Sequence, residues 1–87
     1  MKSYIVIGLG RFGAQAATRL CELGCEVLAI DRNADLVQPI SSMVTQAVVG
    51  DARDKEVLRA LGAKDFECAI VAIGTNLADS VLATMNL

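Results

Sequence analysis

The 87-residue sequence predicts an α/β fold: a parallel sheet of about four strands in the order 3-2-1-4, joined by crossover helices. Three observations carry the prediction. Four short apolar runs rich in β-branched residues, at Ser3–Gly8, Glu26–Asp31, Gln46–Gly50 and Cys68–Gly74, alternate with stretches of helical periodicity. None of the runs alternates cleanly between polar and apolar, so each reads as a strand covered on both faces, as the strands of parallel sheets are. Strand–helix–strand successions close in the right-handed sense, which restricts the order in which the strands lie side by side.

Each element has a local reason. The first strand runs into a helix in which Phe12, Ala16, Leu20 and Leu23 recur at i+4, i+4 and i+3, and Gly24 is a natural left-handed stop for it. After the second strand, Asn33 is a candidate N-cap for a helix from about Ala34. Pro39 falls inside that helix, lacks an amide donor and crowds the preceding turn, so the helix is expected to be short or kinked. After the third strand, Asp54 caps a helix carrying Val57, Leu58 and Leu61 and ending at Gly62. A fourth helix is expected from near Asn76, with Asp79 in its first turn and Leu77, Val81, Leu82 and Met85 on its buried face.

No repeat, low-complexity tract or linker interrupts the chain, so residues 1–87 read as a single domain. A domain of this size buries only about 60–65% of its unfolded surface, and a ligand or partner would help it considerably. A dinucleotide fold continues past its fourth strand, so the chain reads as the N-terminal part of one. Its fourth strand is then an open apolar edge, for which self-association is the expected remedy.

Composition narrows the function. At 54% hydrophobic and 21% charged residues, the chain is too apolar for disorder. With 3% aromatic residues and a net charge of -2, it lacks the stacking platforms and positive field of a nucleic-acid binder. Cys21, Cys25 and Cys68 match no zinc or redox spacing and read as small buried hydrophobes in a reducing cytoplasm. The absence of histidine removes the usual general base and the usual metal ligand, so neither catalytic nor metal-binding residues are expected. The N-terminus has no signal-peptide pattern and no apolar run approaches a membrane span.

The chemistry concentrates at the ends of the strands. Gly8-Leu9-Gly10-Arg11-Phe12-Gly13 fits G-x-G-x-x-G, and it lies directly between the first strand and the first helix, the context that makes the motif specific for a Rossmann-like dinucleotide fold. There Gly8 permits the tight turn, Gly10 lets a pyrophosphate approach the backbone and Gly13 lets helix and strand pack closely. The start of the helix offers amide donors and partial positive charge to the anion. Arg11 lies within the turn, either paired with phosphate oxygens or at the surface. Asp31, 18 residues beyond Gly13, stands where an acidic residue accepts from ribose hydroxyls. Its charge repels a 2′-phosphate, which disfavours NADP(H) against NAD(H), ATP or ADP. Arg32 lies over the adenine, points to solvent or, against the influence of Asp31, pairs with a 2′-phosphate. Asp51, in Gly50-Asp51-Ala52, either accepts from the adenine amino group or caps the turn into the third helix. Gly74-Thr75-Asn76, closing the fourth strand, either touches ribose or phosphate or supplies Asn76 as a plain N-cap.

With these motifs in place, the chain resembles the RCK or KTN (TrkA-N-like) regulatory nucleotide-binding domain of Trk and Ktr potassium-uptake systems and of some potassium channels. The resemblance rests on "YIVIGLGRFG", "LAIDRN" and "AVVGDARDKEVLRALGAKDFECAIVAIGTN" and on the intervals between them. It implies a sensor instead of a catalyst: adenine nucleotides, NAD(H) or ATP/ADP, bind at the glycine turn, and dimers assemble into a ring that controls a membrane pore. It implies a cytoplasmic location, held to the membrane through a potassium transporter or channel subunit. Carried onto matching positions, Gly8, Gly10 and Gly13 line the phosphates with Arg11 reaching toward them, Asp31 holds ribose, and Arg32, Asp51 and Ala52 border the adenine. Phe12, Ile73, Gly74 and Asn76 complete the expected cofactor-binding set. The alternative is the cofactor-binding half of an NAD-dependent oxidoreductase. Against it stand the lack of histidine and the position of Tyr4, the single tyrosine, inside the first strand.

Overall fold

The computed structural model describes residues 2–62, 65–73 and 81–86, with residues 73 and 81–86 described by their backbone. Among these, β1 (Ser3–Ile7), β2 (Glu26–Asp31), β3 (Gln46–Val49), β4 (Cys68–Ile73) and β5 (Val81–Asn86) form one sheet in the order β3-β2-β1-β4-β5. The helices are α1 (Arg11–Glu22), α2 (Ala34–Val37), which runs on as a 3-10 turn over Gln38–Ile40, and α3 (Lys55–Ala60). The first four strands are parallel and lie in the order 3-2-1-4: Val6 of β1 stands opposite Ala29 on one side and Ile70 on the other, and Ile30 of β2 opposite Val48.

The apolar runs follow from burial on both faces. Val27, Leu28, Ala29 and Ile30 are consecutive in β2 and none is more than 2% exposed. One face buries Val6, Val27, Ala29 and Ile70 with Leu9, Ala17 of α1, Val37 of α2, and Ile40 and Val44. The other buries Ile5, Leu28 and Ala69 against Leu58, Leu61 and Phe66. Each large side chain so enclosed contributes about 1.5–3 kcal/mol relative to exposure, so the central strands carry most of the folding drive.

The helix boundaries obey local rules. The Gly24 amide donates to the Cys21 carbonyl and the Cys25 amide to the Leu20 carbonyl, the paired bonds of a Schellman stop, with Gly24 at φ 89°. Asn33 caps α2 by accepting the Asp35 amide at 2.9 Å, and the α-helix gives way after one turn to the 3-10 turn containing Pro39. Asp54 caps α3 in the same way through the Glu56 amide, and Gly62 follows its end.

One expectation is overturned. Residues 81–86 are not the second half of a fourth helix; they form β5, antiparallel to β4, with Ile70 opposite Thr84 and Val71 opposite Ala83. The start of that expected helix, at Asn76, Leu77 and Asp79, lies outside the described residues. Val-Leu-Ala-Thr-Met has an apolar spacing compatible with either element, and the unpaired backbone groups along β4 decide for the strand. The same pairing covers the edge of β4 with this chain's own backbone, which removes the reason for expecting self-association there. No helix among the described residues is long and apolar enough to cross a membrane.

Candidate nucleotide-binding site

The carboxyl ends of β1, β2 and β3 are brought level by two backbone bonds, from the Gly8 amide to the Ile30 carbonyl at 3.0 Å and from the Gly50 amide to the Asp31 carbonyl at 2.9 Å. This is the edge at which open parallel sheets receive ligands. The three glycines of the turn differ in what requires them. Gly8 has φ 95°, and a Cβ there would stand 2.2 Å from the Ala72 carbonyl oxygen. Gly13 is buried, and a Cβ on it would meet the Gly8 carbonyl oxygen at 1.8 Å. Gly10 has φ -65° and ψ -172°, a conformation open to any residue. The backbone angles at this position therefore do not demand glycine.

Gly10 is the N-cap of α1 and brings no side-chain acceptor to it. The first helical bond is made by the Ala14 amide to the Gly10 carbonyl, so the amides of Arg11, Phe12 and Gly13 precede the helical ladder. The first turn contains no acidic residue, and Arg11 is exposed at its start. Its dipole and its charge thus favour an anion together.

Asp31 lies at the end of β2 and is half-buried. Its Oδ2 accepts the Leu9 amide at 2.7 Å and its Oδ1 accepts the Asn33 amide at 2.8 Å. It therefore ties the glycine turn to β2 across 22 residues of sequence, a role its spacing alone does not reveal. Each carboxylate oxygen has a second lone-pair direction with which to accept a further donor.

Beside Asp31 a cavity of about 300 Å³ is lined by Ile7, Gly8, Ile30, Asp31, Arg32, Gly50, Asp51, Ala52 and Arg53. It gathers five of the expected positions: Gly8, Asp31, Arg32, Asp51 and Ala52. Gly10 and Arg11 instead line an apolar groove of about 320 Å³ between α1 and the α2 region, with Leu36, Pro39, Ile40 and Met43. Phe12 is half-buried and Gly13 is packed under the turn; neither lines these two hollows. Ile73 ends β4 with its backbone opposite Val81, while Gly74, Thr75 and Asn76 lie outside the described residues.

Asp51 does cap the turn: its Oδ1 accepts the Arg53 amide at 2.9 Å and its carbonyl accepts the Asp54 amide. It also receives the Arg53 side chain as a fork, Nε to Oδ1 and Nη2 to Oδ2, each at 3.1 Å. These side-chain and backbone bonds from Arg53, with smaller help from the charges of Arg53 and Arg32, hold its carboxyl below the usual range. Arg53 is the charged residue of this cavity that the sequence reading missed. The available signal was an aspartate two residues ahead of an arginine in a turn, the spacing of an Asx turn. Among the described residues, no group of three or more His, Cys, Asp or Glu is placed to hold a metal ion.

Comparison with known proteins agrees with this architecture. The TrkA-N domain model matches residues 4–87. The chain is 44% identical over 86 residues to Ktr system potassium uptake proteins C and A of Bacillus subtilis, covering 99% of this chain and 39% of each relative. To Ktr system potassium uptake protein A of Vibrio alginolyticus it is 38% identical over 84 residues, 97% of this chain and 38% of that protein. The chain thus spans about two fifths of the length of these relatives. A parallel sheet in the order 3-2-1-4, a glycine turn between its first strand and first helix, and a family match over nearly every residue lead to one conclusion: the chain belongs to the TrkA-N domain family.

Proposed function

We propose that this chain is a regulatory domain that binds an adenine nucleotide, NAD(H) or ATP/ADP, and controls a membrane-embedded potassium transporter or channel from the cytoplasmic side. Gly10 carries the reading. It is a helix cap without a side chain, in a conformation that does not require glycine, ahead of a first turn without acids. A bare backbone there serves the close approach of a phosphate. The names of the relatives, potassium uptake proteins, supply the transport context.

In this reading Gly8, Gly10, Phe12 and Gly13 form the phosphate turn, with Arg11 toward the outer phosphates. Asp31 accepts from the ribose hydroxyls on its remaining lone pairs, which disfavours a 2′-phosphate and hence NADP(H). Arg32, Asp51 and Ala52 border the adenine, and Ile73, Gly74 and Asn76 complete the nucleotide-binding set. Regulation requires two arrangements of a homodimer or higher oligomer that differ in affinity for the nucleotide, because a ligand bound equally by both shifts nothing. The oxidoreductase alternative has less to rest on: Tyr4 stands within β1 between Val27 and Cys68 and packs against the core, away from the carboxyl edge.

Calorimetric titration of the chain with NADH, NAD, ATP and ADP tests this, with Gly10→Ala as the control. Asp31→Ala is a poorer control because it also releases the Leu9 amide. Binding of at least one of the four, weakened about tenfold or more by Gly10→Ala in a chain that stays folded, is expected. Failure of all four to bind, or binding indifferent to Gly10→Ala, overturns the reading.

A further inference from the structure

We infer that Arg53 is a positioning residue that locks Asp51 as an obligate acceptor at the base end of the cavity, so that the site selects a base edge bearing an amino group over one bearing a keto group. The inference rests on the nucleotide reading above and extends it from the phosphates to the base.

The geometry is that of the fork. Oδ1 of Asp51 takes two N–H groups, from the Arg53 backbone and from Nε, while Oδ2 takes one, from Nη2. Turning the carboxylate breaks both side-chain contacts at once, so its direction is set. Oδ2 keeps a lone pair for a donor, and a carboxylate held in this way has no proton to offer an acceptor. Asp31 and Arg32 share the cavity: the first spends both oxygens partly on the Leu9 and Asn33 amides, and the second adds its positive charge at Asp51. The 6-amino group of adenine donates to Oδ2. Hypoxanthine carries a 6-oxo acceptor in place of that amino group and moves its donor to N1–H, so at position 6 it sets two acceptors against each other.

The fork also occupies Arg53. A guanidinium left open would pair its two N–H groups with O6 and N7 of a keto purine, the opposite preference. Asp51 and Arg53 therefore suppress each other's alternative choice, and removing either erodes selectivity in a different way. Both side chains lie at the surface, so their substitution leaves the core untouched.

The test is calorimetric titration of the chain and its variants with ADP and with IDP. The expected result is a preference for ADP of about tenfold or more in the unsubstituted chain, in line with the rejection of ligands that leave a site's polar group unpaired. Arg53→Ala should reduce the preference to about twofold with ADP still binding, and Asp51→Ala, which frees the guanidinium, should abolish or invert it. Arg53→Lys keeps the charge and loses the two-point fork, so it should behave like Arg53→Ala. A full preference in Arg53→Lys overturns the positioning role in favour of charge alone, and a full preference in Arg53→Ala overturns any role for Arg53. Equal binding of ADP and IDP by the unsubstituted chain overturns this inference and leaves the nucleotide reading standing. Binding of neither ADP nor IDP overturns this inference, and the nucleotide reading then stands or falls by the titrations with NADH, NAD and ATP.

Discussion

The starts of α1 and α3 follow strands of one sheet, yet they are finished in opposite ways. At α3 the chain supplies its own anion: Asp54 accepts the Glu56 amide at 2.9 Å, and Glu56 adds a second negative charge in the first turn. The start of α2 is closed likewise by Asn33 and Asp35. At α1 the cap is a glycine, the first turn has no acid, and the nearest charge is that of Arg11. All three helices among the described residues face the same electrostatic problem of unpaired N-terminal amides, and two solve it internally. The difference shows that the open start of α1 is a property of its sequence and not of helix starts in this fold.

The largest effects should come from the glycines on which the α1 turn is built. Gly13→Ala sets a methyl against the Gly8 carbonyl oxygen, and Gly8→Ala combines a φ of 95° with a clash at the Ala72 carbonyl. Each should cost about 2–4 kcal/mol and lower the thermal midpoint by roughly 10 °C or more. A midpoint within about 2 °C of the unsubstituted chain in either variant would contradict the packing described here. Next in size is the conversion of α1 into an α3-like start. Gly10→Asp should raise stability by about 0.5–1 kcal/mol through the new cap and abolish nucleotide binding, so the two quantities move in opposite directions in denaturation and titration experiments. A loss of both would place the role of Gly10 in the fold itself.

The reciprocal change is smaller. Asp54→Ala should cost about 1 kcal/mol in chemical denaturation and leave nucleotide affinity unaltered, since α3 offers its amides to its own cap. A drop in affinity would mean that the two starts are coupled. The smallest effect concerns Asp51, whose carboxyl is held below its usual value of 3.8 by the bonds from Arg53. A group whose folded pKa is depressed adds stability above its unfolded value and loses it as pH falls through the folded one. The decline in stability below about pH 4 should therefore be slightly shallower in Asp51→Asn than in the unsubstituted chain. A steeper acid limb in the variant would reverse the sign assigned to this pair.

Particular residues show how much of the molecule could be read from its sequence. Gly24 and Gly62 mark the ends of α1 and α3, and Pro39 the brevity of α2, because caps and proline act through their immediate neighbours. The glycine turn was legible as a motif, but not the division of labour within it, since only the positions of Ala72 and the Gly8 carbonyl distinguish Gly8 and Gly13 from Gly10. The tie from Asp31 to the Leu9 amide spans 22 residues and leaves no periodicity to detect. Arg53 escaped notice because a fork between two exposed side chains depends on the turn that aims them.

Along the chain, local chemistry determined the four parallel strands, the helix stops and the two side-chain caps, because apolar spacing, missing amides and short polar side chains act within a few residues. Packing alone decided that residues 81–86 pair with β4 as β5. Their side chains satisfy either period, and the choice lay with backbone donors and acceptors on a strand that begins thirteen residues earlier, at Cys68.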